Sequence, residues 1–124
     1  MSPRQIPLDV GLQVVSSYTS DPVTTLANRE ETALACRFTL QLLAKAAPGR
    51  AVEVRVPPFG AVQVLGGPAH TRGTPPAVIE MSPEVWLALA TGQLTWSDAV
   101  TQGVVDSSGR RANLQEWLPL VELG

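Results

Sequence analysis

The sequence predicts a single α+β domain. Three observations predict it. An apolar stripe at helical spacing runs through Thr32–Ala47, a strict alternation of apolar and charged residues fills Ala51–Val56, and three capped helical starts follow in the last third of the chain. Helices and strands lie in separate blocks, which is the α+β pattern and not the βαβ one. The 124 residues suit one domain, 1–124, in which 1–30 reads as an N-terminal extension.

Taking the elements in order, Val10, Val14 and Tyr18 share one helical face, with Asp9 as the cap of a short helix. Asp21-Pro22 is an N-cap acceptor followed by proline at the first helical position. Glu30 and Glu31 suit the start of a further helical segment, so 22–47 is read as one helix or two. Leu34, Phe38 and Leu42 recur at four-residue spacing, and Cys36, Leu40, Leu43 and Ala47 widen the stripe. Arg37, Gln41 and Lys45 occupy the other side, and Pro48-Gly49 stops the helix.

Val52, Val54 and Val56 point one way and Glu53 and Arg55 the other, a strand with one solvated face. Pro57-Pro58-Phe59-Gly60 is turn material, and Val62 and Val64 continue as the second arm of a hairpin. Gly66–Pro76 reads as a loop, and Val78–Met81 as a strand. Ser82-Pro83-Glu84 opens a helix that ends at Gly92, and Thr95-x-x-Asp98 opens another that ends at Gly103. Val104–Asp106 is a short strand. Asn113-x-x-Glu116 begins a last helix carrying Leu114, Trp117, Leu118 and Val121, which Pro119 shortens or bends.

Composition excludes several functions. Nine Lys+Arg against eleven Asp+Glu give a formal charge of −2, without the basic excess that nucleic-acid binding needs. Eight of the nine cations are Arg, so no single Arg stands out as functional. No apolar run approaches the ~20 residues that span a bilayer, and no apolar leader core follows Met1–Gln5. Cys36 is the single cysteine and His70 the single histidine, so no disulfide framework, zinc cluster or cofactor is expected, and a reducing cytoplasm fits.

Trp86–Gly103 resembles the C-terminal signature of the sterol carrier protein type 2 family: an apolar helix ending in a Leu-x-x-Gly turn at Leu89 and Gly92, then a short helix with Ala99 before Gly103. Val52–Gln63, together with His70–Pro76, is similar to a small bacterial branch of that family. The resemblance runs from about Ala33 to Leu120. It implies a mixed, mostly antiparallel sheet of about five strands with helices on one face. It also implies non-catalytic binding of a hydrophobic small molecule between sheet and helices, a fatty acyl or isoprenoid chain in preference to a sterol.

On that resemblance the candidate apolar lining is Leu40, Leu43, Val54, Val56, Val62, Val64, Trp86, Leu89 and Trp117, with His70 and Arg72 as polar anchors at the rim. Each has a plainer reading. The aliphatic residues serve equally as core, and tryptophans commonly anchor helices to sheets. Arg72 in a Gly/Pro loop suits a carboxylate or phosphate, but the same loop position suits an exposed, hydrogen-bonded His70. Cys36 among Ala and Leu reads as a buried small hydrophobe. Two alternatives stay open. One is an interaction module with a filled core, in which an exposed sheet edge or an apolar patch serves a partner protein or a homodimer. The other is an enzyme or accessory domain using the His70 loop.

Overall fold

The computed structural model describes residues 5–66, 77–108 and 113–122. Helix α1 spans Leu8–Ser20, α2 Pro22–Ala27 and α3 Arg29–Ala46. Strands β1 (Val52–Val56), β2 (Gly60–Val64) and β3 (Ala77–Glu80) follow, then α4 (Pro83–Ala90), α5 (Trp96–Gln102) and β4 (Asp106–Ser108). A single 3-10 turn at Gln115–Trp117 comes last among the described elements.

The caps follow from the residues that form them. Asp21, Asn28, Ser82 and Thr95 each accept the backbone N–H three positions on, which satisfies a donor that the helix leaves unpaired. The Asn28 cap is where α2 and α3 part, so 22–47 holds two helices. Asp9 does not cap α1. It lies in the first turn, where its charge suits the helix dipole, and Pro7 stands at the cap position without a side-chain bond.

Among the described residues the sheet has four strands in the order β2-β1-β3-β4. The residues themselves predict four; a fifth rested on the resemblance alone. β1 pairs antiparallel with β2, Val54 opposite Val62, and parallel with β3, Val54 opposite Ile79. β3 pairs antiparallel with β4, Glu80 opposite Asp106. Val52, Val54, Val56, Val64 and Ile79 are buried in one cluster with Phe38, Leu43 and Trp86 from the helices. The opposite face carries Glu53, Arg55, Gln63 and Glu80, with Glu53 and Arg55 paired.

Two expectations near the C-terminal end are corrected. The last strand is Asp106–Ser108, not Val104–Asp106. Gly103 adopts φ 71°, so that its N–H reaches Val100 O and the Val104 N–H reaches Ala99 O. That closure ties Val104 to the end of α5, and pairing starts two residues later. The helix expected from Asn113 is only the 3-10 turn. Asn113 does accept the Gln115 N–H at 2.8 Å. Pro119, however, forces Leu118 into an extended conformation, φ −106° and ψ 141°, which ends the helix after one turn.

No helix among the described residues is long and apolar enough to cross a membrane. Likewise, no group of three His, Cys, Asp or Glu among them lies together as metal ligands would.

Candidate functional site

α3 lies over β2 and runs in the same direction. Its middle meets the start of the strand, where Arg37 Nε donates to Phe59 O at 2.9 Å, and its end meets the end of the strand, where Leu65 N donates to Ala47 O at 2.8 Å. The flank of α3 that overhangs the strand carries Leu34, Arg37, Gln41, Ala44 and Lys45. Between this flank and Phe59–Val62 lies a groove of about 670 Å³. Its floor is apolar: Leu40, Leu34, Ala44, Phe59 and Val62.

The third wall is the chain before α1. The Ile6 N–H donates to Gln41 Oε1 at 2.8 Å, and Gln41 Nε2 donates to Ile6 O at 3.0 Å. One side-chain amide thus bonds both backbone groups of Ile6, as a neighbouring strand would, and holds Gln5 and Ile6 against the groove. Phe59 is fixed from above by the Arg29 guanidinium, 5.3 Å from its ring centroid. Arg37 and Lys45 flank the groove, no acidic residue lines it, and neither cation has an acidic partner among the described residues. The groove is therefore apolar along its floor and cationic at its rim.

The residues singled out in the sequence divide into four groups. Leu40 and Val62 line this groove. Leu43, Val54, Val56, Val64, Trp86 and Leu89 lie in the core, each with 0 % exposure. Trp117 lies apart on the 3-10 turn, beside a second depression of about 540 Å³ with Leu65, Asn113, Gln115 and Glu116. His70 and Arg72 lie outside the described residues.

Sequence reasoning placed Arg37, Gln41 and Lys45 on the solvated side of α3 and missed that this side faces a strand edge. The available signal was Leu34 and Ala44, apolar positions on the same flank. Cys36 is fully buried and free. Burial pushes its thiol up to about 12, with a small opposing effect of Arg37, so it offers no nucleophile.

A family model described as a bacterial SCP ortholog matches residues 28–120. That stretch begins at the cap of α3 and includes every strand among the described residues and both walls of the groove that α3 and β2 build. No curated protein matches the chain.

Proposed function

Because the chain belongs to this bacterial branch of the sterol carrier protein family, we infer that it binds and carries a hydrophobic small molecule without catalysing a reaction on it. Membership supports carriage of a hydrophobic ligand in general. The observation that carries the assignment to a place is the apolar groove between α3 and β2, whose volume of about 670 Å³ is that of a small-molecule site.

Leu34 to Lys45 spans about 16 Å of helix at the usual rise, so the groove is elongated along α3. That shape suits an extended acyl or isoprenoid chain better than a rigid fused ring. Each methylene taken from water contributes about 0.8 kcal/mol. Arg37 and Lys45 stand where a polar head emerges, and His70 and Arg72 remain proposed as further rim anchors. The work of such a protein is burial and release, and it fits a cytoplasmic setting.

The test is a fluorescence titration with cis-parinaric acid, a fatty acid that emits when shielded from water. Wild type is expected to bind it saturably. Ala44→Trp fills the groove from the α3 side and is expected to weaken binding at least tenfold with the circular dichroism spectrum unchanged. Equal affinity in the two proteins would remove the groove as the site.

A further inference from the structure

Among the described residues, the outer edge of β2 carries backbone groups that have no partner. The N–H groups of Ala77 and Met81 donate to Ala51 O and Arg55 O, each at 3.1 Å, so 53 and 55 turn their backbone groups toward β3, while Ala51 sends only its carbonyl there and donates its N–H to Leu65 O at 3.0 Å. Val52, Val54 and Val56 therefore face β2, where they meet Val64, Val62 and Gly60. By alternation Ala61 and Gln63 send their N–H and C=O groups away from the sheet. Both residues are exposed, and among the described residues these groups have no partner. Leu65, the next residue on that edge, is already bonded to Ala47. Gly60–Val64 holds no charge and no proline, the features that usually blunt an open edge.

The rim charges select the occupant. Arg37 and Lys45 are eight residues apart on α3, about 12 Å of helix. Two inward-facing positions four residues apart on a strand are separated by about 13 Å. A strand laid along β2 would therefore set two inward side chains level with Arg37 and Lys45 and the one between them over Val62. A second copy of the chain suits this edge poorly. A two-fold axis at Val62 would bring Arg37 opposite the partner's Lys45, cation against cation.

We propose that the free edge of β2 and the groove beside it accept an extended segment of another protein in the pattern acidic-x-apolar-x-acidic, added to the sheet as a further strand. The main chain of that segment bonds Ala61 and Gln63, its carboxylates pair with Arg37 and Lys45, and its apolar residue covers Val62. This inference shares Val62, Arg37 and Lys45 with the small-molecule reading but does not rest on it, since the backbone edge that carries it takes no part in that reading. A failed fatty-acid titration would leave it standing.

The probe is the peptide acetyl-Thr-Glu-Thr-Val-Thr-Glu-Thr-amide, titrated into isotope-labelled full chain and followed by amide NMR. The expected result is a saturable shift of the Ala61 and Gln63 amides and at least tenfold slower hydrogen exchange at both. The analogue with Lys in place of Glu is expected to bind at least tenfold more weakly. The double variant Arg37→Glu, Lys45→Glu is expected to reverse that preference. Three results would overturn the proposal: no saturable shift at millimolar peptide, equal binding of both peptides, or a free protein that is already a dimer with these two amides protected. The last would assign the edge to a second copy.

Discussion

Trp86 Nε1 donates a 2.7 Å hydrogen bond to Thr39 Oγ1, joining α4 to the centre of α3 at a point where both residues have 0 % exposure. The Thr39 hydroxyl in turn reaches Ala35 O at 2.7 Å and Cys36 O at 3.1 Å. It gives its own proton to the helix backbone and accepts the indole proton. This polar link runs through the apolar core and fixes the rotamer of the largest buried side chain.

Thr39→Val keeps the shape and leaves the indole N–H buried without a partner. The expected cost is about 1–3 kcal/mol in urea unfolding followed by circular dichroism. Trp86→Phe removes the donor as well as part of the ring. The double variant is expected to lose about 1 kcal/mol less than the two single losses together, because the unpaired N–H is gone. Strict additivity would mean that the bond contributes nothing.

Gly11 is where α1 crosses α3. A Cβ there would overlap the ring of Phe38, which is fully buried. Gly11→Ala gains about 1 kcal/mol of helix propensity and is nevertheless expected to destabilise the chain by about 1–3 kcal/mol through overpacking. Phe38→Leu in the same chain should recover part of that loss. A higher melting temperature for Gly11→Ala would show that the helices have room to part.

Stability should fall at alkaline pH. Burial pushes the Cys36 thiol from 9.0 up to about 12, and burial, with Cys36 and Glu84 nearby, raises the Tyr18 phenol above 10.0. The unfolded chain loses these protons first, so above about pH 9 it binds fewer of them than the folded chain does. The stabilisation is complete below that pH and is lost as pH rises toward about 12, at no more than about 1.4 kcal/mol per pH unit for each group. Melting temperatures between about pH 8 and pH 11 should drop less steeply for Cys36→Ala than for wild type. Parallel curves would show that the thiol is not a source of the loss.

Much of this fold is legible in the sequence because local chemistry decides it. Asp21, Ser82 and Thr95 announce their helices through the donors they satisfy, and the valine alternation at 52–56 shows which face of β1 is wet. The elements that were misplaced depend on more than one local preference. At Val104 the apolar residue suggests a strand, but the Gly103 closure holds it to the helix. At 113–121 the apolar spacing suggests a helix, but Pro119 stops it after one turn. The groove is less legible still. Arg37, Gln41 and Lys45 look like any solvated helix face, and only the docking of α3 over an edge strand makes them a rim. The clasp between Gln41 and Ile6 joins residues 35 positions apart, beyond any spacing rule.

Native mass spectrometry of the freshly purified chain, paired with solvent extraction of the same sample, tests the groove most directly. The predicted result is a bound mass of acyl or isoprenoid size that disappears on extraction, is replaced when cis-parinaric acid is added, and is missing from Ala44→Trp. A chain that stays at its bare mass in the presence of the added fatty acid, or an Ala44→Trp variant that keeps the same bound mass, would contradict it.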